Sequence, residues 1–201
     1  MERGSEMNEM VKLFVIVALF SGVAGGVLAT VRSSTQARIE YQQLKFVKGP
    51  TIKTLMQGCS NDPLVDRFKI SDGKIERSFF VGKFDGKAST VALETYGKGF
   101  AGDIGVIVAI NVETDNILGI GVTTHSETPG LGSRAKSETF LSDQFKGLSI
   151  KDPLQLKNDG GAIDAISGAS ITSQGVCGAV VNSSEVYLRL KSNILEKLKT
   201  I

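Results

Sequence analysis

A chain of 201 residues accommodates one domain behind an anchor, or two small domains. Its 23 Lys and Arg against 21 Asp and Glu leave a formal charge of +2, and no long basic stripe runs along it, so the balance excludes a nucleic-acid partner. With no Trp and one His, aromatic stacking platforms and multi-histidine metal sites are excluded too, and two distant cysteines, Cys59 and Cys177, without CxxC spacing, speak against a zinc or iron–sulfur centre. A disulfide between the two cysteines stays open, because pairing is a matter of geometry.

Taken in order, the chain first offers an uncharged run at residues 13–31 (LFVIVALFSGVAGGVLATV), bracketed by Lys12 and Arg32. Its length suits a bilayer core of roughly 30 Å. A cleaved signal peptide competes, since Val27-Leu28-Ala29 is an acceptable cleavage site. The run exceeds a usual signal core, and Gly22, Gly25 and Gly26 suit close helix packing in a membrane, so a retained single-pass anchor is the expectation. Orientation is not decided by charge, because Arg3 and Lys12 face Arg32 and Arg38 across the span.

Residues 33–47 predict a helical stalk or linker ended by Gly49-Pro50. Residues 51–81 mix short amphipathic pieces with turns at 61–63 and 71–73. Strands are expected at 74–81 and 89–95, and Cys59 reads as a small packing residue. From Tyr96 the pattern sharpens. Residues 105–112 and 117–124, joined by the turn 113–116, predict a hairpin. It delivers the chain to His125-Ser-Glu127-Thr128-Pro129-Gly130-Leu131-Gly132, where Pro129-Gly130 sets a turn. By itself this loop reads equally as a hairpin exit with a satisfied histidine.

Residues 134–145 have helical character. Arg134 and Lys136 read more readily as solvated charges than as phosphate ligands. A connector at 146–156 and the breakers 158–161 lead to Asp164-Ala-Ile-Ser167-Gly168-Ala169-Ser170-Ile-Thr172-Ser173. Beyond it, Val176, Val180, Tyr187, Leu190 and Ile194 fall on one face of a helix over residues 174–197. Hydroxyls therefore crowd a helix start, where free N–H groups and the helix dipole favour an anion and Gly168-Ala169 permits close approach. Plain capping is the competing reading of the same residues.

The stretch 164–173 resembles the flavinylation motif of the FMN-binding domains in the Rnf and Nqr respiratory complexes, with Ser170 standing where the family more often has Thr. The stretch 125–132 resembles the second signature of the RnfG family, and the related NqrC family has a similar Glu-Thr-Pro-Gly-Leu-Gly. The likeness covers roughly the second half of the chain plus the anchor. It implies FMN joined through a phosphoester to Ser170, with Ser167, Gly168, Ala169, Thr172, Ser173 and Asp164 around the attachment point. His125, Glu127, Thr128, Pro129, Gly130, Leu131 and Gly132 are implied on the flavin's other side. It also implies an electron-transfer subunit rather than a complete enzyme. The other subunits of an Rnf-type membrane complex, a flavin transferase that uses FAD and membrane lipid would be its partners. Residues 33–201 would then lie on the extracytoplasmic side of the inner (plasma) membrane.

The expected organisation is a tail (1–12), a transmembrane helix (13–31), a stalk (32–50), the first part of the extracytoplasmic domain (51–95), an FMN-binding domain (96–190) and the end of the last helix (191–201). The expected fold class is α+β, an antiparallel, hairpin-rich sheet with flanking helices behind one transmembrane helix. No Gly-x-Gly-x-x-Gly follows a strand, which argues against a dinucleotide-binding unit. Two other functions compete: a flavin-free scaffold in which Ser170 only caps a helix, and a hydrolase using Ser170 or Ser167 with His125 as base, for which no Gly-x-Ser-x-Gly elbow is present. Cys177, seven residues beyond Ser170 on the same side of the helix, reads as a packing residue.

Overall fold

The computed structural model describes residues 2–200, with side chains from residue 9 onward. The Arg3 side chain, used in the charge argument, and the terminal residues 1 and 201 lie outside the described residues. The chain forms two compact units, Met1–Gln43 and Leu44–Ile201. The first holds helix α1 (Glu2–Gln42). Its uncharged stretch 13–31 leaves every side chain exposed and is long and apolar enough to cross a membrane.

A π-helical turn, Gln43–Lys48, leads into α2 (Gly49–Leu55). This corrects the expectation that Gly49-Pro50 ends the helical stalk: Pro50 sits in the first turn of a further helix, where its missing N–H costs nothing.

The second unit is built on a five-stranded antiparallel meander whose spatial order is the chain order. Its strands are β1 (Arg67–Asp72), β2 (Ile75–Phe84), β3 (Lys87–Lys98), β4 (Asp103–Asn111) and β5 (Ile117–Thr124). The two-residue turn Asp85-Gly86 has both φ positive, 52° and 77°, the hand that matches a twisted hairpin. The expected hairpin at 105–124 is β4 and β5.

Period-two alternation explains why β4 reads as one apolar run. Ile104, Val106, Val108 and Ile110 face one side of the sheet, and Ile107 and Ala109 face the other. The second face is covered by Ile52 and Met56 of α2 and the residue after it. Against the first face lies α5 (Ser170–Leu198), through Val176, Val180, Tyr187 and Ile194. Each such large apolar side chain contributes about 1.5–3 kcal/mol on burial. The helix begins four residues before the expected 174, so Ser170 is its first residue.

Contact between α5 and β3 is closer than side chains would allow. A Cβ on Gly97 would stand 1.9 Å from the Gly175 carbonyl oxygen, and one on Gly175 would stand 2.6 Å from that of Lys98. Two bonds fix the register: Thr95 Oγ1 donates to the Ala179 carbonyl (2.7 Å), and Asn182 Nδ2 donates to that of Tyr96 (2.9 Å). Near the helix's far end, Arg189 and Arg77 both reach Asp72 at 2.7 Å. Hydrogen bonds from these two guanidinium groups lower the Asp72 carboxyl from 3.8 to about 2. A group with a depressed folded pKa stabilises the fold above its unfolded value and loses that contribution as pH falls through the folded one. Thermal unfolding between pH 5 and pH 2 is therefore expected to show stability falling toward the acid end, and Asp72→Asn to flatten that dependence.

Candidate functional site

Strand β5 ends at Thr124 and releases the loop 125–132, which turns at Pro129-Gly130 (Gly130 φ 73°). The amides of Leu131 and Ser133 return to the Thr128 carbonyl, and the Gly130 amide donates to Ser133 Oγ at 2.9 Å. On the other side, the loop before α5 turns at Gly168 (φ 78°), where only glycine is unstrained. Ser173 Oγ ties that turn from inside the helix: it accepts the Ile166 N–H (3.0 Å) and donates to the Ala169 carbonyl (2.9 Å).

The two loops meet around an open cavity of about 340 Å³, within the range of small-molecule clefts. Glu127, Thr128, Leu131 and Gly132 form one wall; Gly168, Ala169, Ser170 and Thr172 form the other; Phe100 and Ile171 complete it. Ser170 is exposed, and its hydroxyl makes no hydrogen bond among the described residues. The helix-capping position belongs to Ala169, with no side-chain capping bond, so the geometry gives Ser170 no capping role.

Glu127 is 5% exposed and Thr172 3%. The Thr172 hydroxyl donates to Glu127 Oε2, a bond that joins the two loops, and the Ala101 N–H donates to Oε1 at 2.9 Å. Burial pushes the Glu127 carboxyl up, but hydrogen bonds from Thr172 and from the Ala101 and Phe100 amides, with the charge of nearby His125, outweigh it and hold the group below the ordinary carboxylate value. Gly132 lies against this pair: a Cβ there would be 2.6 Å from both Glu127 Oε2 and Thr172 Oγ1.

The other expected residues stand behind the walls. His125 Nδ1 accepts the Glu127 N–H at 3.2 Å. Pro129 and Gly130 shape the turn. Ser173 ties the second loop internally, and the Ser167 carbonyl accepts from Arg134. Asp164 is held at its backbone by the Gln144 side-chain amide, which accepts its N–H (2.7 Å) and donates to its carbonyl (3.1 Å), and its carboxylate pairs with Lys157 at 2.7 Å. No histidine lines the cavity that holds Ser170, so the hydrolase reading finds no base there.

Two expectations are refined and one open question closes. Arg134 and Lys136 are solvent-accessible as expected but also have specific partners: Arg134 Nη1 donates to the Ser167 carbonyl (3.2 Å) while its Nε pairs with Glu138 (2.8 Å), and Lys136 Nζ donates to the Thr123 carbonyl (2.6 Å). Arg134 thus clips the second loop to the first. Residues 134–145 are two short helices, α3 (Arg134–Ser137) and α4 (Phe140–Asp143), broken at 138–139. Finally, Cys59 and Cys177 are both free thiols, which closes the open question of a disulfide. Cys177 is buried as expected, and that burial raises its thiol to about 12, far from a reactive thiolate.

Sequence reasoning missed Phe100, Ile171 and Gly99. Phe100 and Ile171 are 72% and 49% exposed at the cavity edge, where an apolar residue stands out only once its neighbours are known. Gly99 is required because a Cβ there would lie 2.5 Å from Glu127 Oε1. Two glycines flanking Lys98 were the available signal.

Comparison with known proteins agrees with this geometry. The model of the FMN-binding domain family matches residues 99–185, which include both loops. The G-type subunit of the ion-translocating oxidoreductase complex of Methanosarcina acetivorans is 32% identical over 177 residues, covering 88% of this chain and 93% of that one. Its counterpart from Pseudomonas aeruginosa is 31% identical over 185 residues, covering 86% of each. Among solved structures, Shewanella oneidensis NqrC superposes with a TM-score of 0.51 at 25% identity, over 72% of this chain and 73% of that one. A meander backed by one long helix, an apolar helix ahead of it and relatives similar over nearly their whole length place this chain in the RnfG family, the G-type subunits of ion-translocating oxidoreductase complexes, with an FMN-binding domain in its second half.

Proposed function

We propose that the chain is a membrane-anchored electron-relay subunit of an Rnf-type complex, with FMN joined by a phosphoester to Ser170 Oγ. One observation carries the reading: an exposed seryl hydroxyl without an internal partner stands at a helix start, in the wall of a cavity shared by the two loops. The residues present suit FMN. Gly132 and Gly168 keep the walls thin, Leu131, Phe100 and Ile171 offer apolar surface for a planar ring, and the first amides of α5 favour a phosphate. The related names and the match to the FMN-binding domain support the same cofactor.

In this reading Ser170 gives up its hydroxyl proton and gains a phosphoryl bond as AMP leaves the FAD donor on a flavin transferase. Bound FMN supplies one- and two-electron transfer. The chain's own residues hold the ring's surroundings fixed. Glu127 and Thr172 pin the two loops, Thr128, Leu131, Gly132, Gly168 and Ala169 shape the walls, and His125, Pro129, Gly130, Asp164, Ser167 and Ser173 act through those loops. Helix α1 serves as a retained anchor, with residues 33–201 outside the cytoplasm, on the side where the flavin transferase would act.

The test is intact mass of the full chain, co-expressed with a flavin transferase, beside Ser170→Ala. A gain of one FMN less water in the wild type and none in the variant is expected. An unmodified wild type, or a variant that still gains the mass, would remove the tether.

A further inference from the structure

Glu127 is a buried carboxylate in the cavity wall that no Lys or Arg pairs with. It takes part in no ion pair among the described residues, and its bonds come from neutral donors: the Thr172 hydroxyl and the amides of Ala101 and Phe100. Buried charges are ordinarily neutralised by a partner. Neutral donors stabilise the anion locally but leave its net charge in place, and because the carboxylate itself is buried that charge is screened less than it would be in solvent. The titratable neighbour, His125, meets the Glu127 backbone N–H through Nδ1, and its charge also favours the ionised carboxyl. No Lys or Arg of the surrounding segments pairs with Glu127: Arg134 is held by Glu138 and the Ser167 carbonyl, Lys136 by the Thr123 carbonyl and Lys157 by Asp164, while Lys98 at the end of β3 is exposed. The cavity therefore carries one fixed negative charge that no Lys or Arg ion pair neutralises, in an otherwise mainly apolar wall.

We infer that Glu127 sets the reduction potential of the flavin held at Ser170, its fixed negative charge opposing electron entry and keeping the midpoint low. The inference rests on the reading of the site proposed above. At pH 8, reduction brings two electrons and one proton to the ring, so the ring gains one net negative charge. A carboxylate in the wall makes that gain less favourable, and a neutral amide of the same shape does not. Glu127→Gln keeps one side-chain oxygen, which can still accept the Ala101 N–H, while removing the charge.

The experiment is a redox titration at pH 8, followed by flavin absorbance, of the full chain flavinylated by co-expression. Wild type is compared with Glu127→Gln, Glu127→Asp and Thr128→Lys, each checked by intact mass. Glu127→Gln is expected to raise the reduced-to-oxidised ratio at a fixed ambient potential at least tenfold, about 30 mV for a two-electron couple. Glu127→Asp, which keeps the charge, stays near the wild-type value. Thr128→Lys adds an opposing charge at the exposed lip while leaving the buried carboxylate intact, and is expected to shift the potential in the same direction as Glu127→Gln, so the inference remains testable if that variant does not fold. A flavinylated Glu127→Gln at the wild-type potential, or equal shifts in Glu127→Gln and Glu127→Asp, would overturn the inference and leave the tether standing. A wild type without the FMN mass would overturn both.

Discussion

Gly97→Ala is expected to unfold at a markedly lower temperature than the wild type and to take up little flavin. The new methyl would stand 1.9 Å from the Gly175 carbonyl oxygen and 2.7 Å from the Ala179 nitrogen. Both are backbone atoms of α5, and neither can turn aside as a side-chain tip can, so the helix must lift from β3. Overpacking of this kind costs about 3 kcal/mol, or roughly 6–12 °C for a domain of this size. Lifting α5 also draws Thr172 away from Glu127 and opens the cavity. Gly178→Ala, on the same helix, is the matched control, since a Cβ there meets nothing within 4 Å; it should stay within about 0.5 kcal/mol of wild type. Thermal unfolding of the two variants in detergent decides the matter. Equal midpoints would mean that the close approach of helix and strand is not a constraint.

Gly132→Ala is expected to fold but to accept flavin poorly. Its methyl would wedge between Glu127 Oε2 and Thr172 Oγ1, 2.6 Å from each. Breaking their bond deprives a buried carboxylate of a donor, at about 1–3 kcal/mol. It also moves the wall opposite Ser170, and displacement by about 1 Å in a reacting site can slow chemistry roughly 100-fold. A time course of FMN incorporation by intact mass should show a rate lower by at least tenfold, with the helical circular-dichroism signal retained. A wild-type rate would show that the joined loops are not needed for attachment.

How far the sequence disclosed this molecule varies with the kind of contact involved. The β4–β5 hairpin and α5 were legible because burial writes itself into periodicity: alternate faces of β4 are both covered, and α5 has one apolar face. The two loops of the site stood out in the sequence as motifs, and the fold brings Glu127 and Thr172 together across 45 residues. Helix α2 was not seen, because seven residues carrying Ile52 and little else apolar give too short a pattern. Phe100 and Ile171 were missed for a different reason: cavity walls are defined by what stands opposite them, and no periodicity records that. The tie from Arg134 to the second loop was missed for the same cause, since its partner, the Ser167 carbonyl, lies 33 residues away.

The meander governs the order in which the molecule is assembled. Every strand pairs with its sequence neighbour, so the sheet can form from short-range closures alone. The contacts that dock α5 and join it to the site span far greater distances along the chain: 45 residues from Glu127 to Thr172, 84 from Thr95 to Ala179 and 117 from Asp72 to Arg189. Loop closure makes such contacts late events. Ser170 thus has its cavity only where α5 is docked on the sheet, since the opposite wall is the loop that follows β5. If FMN is attached at Ser170, the modification therefore reports on docking of α5 as well as on the serine itself.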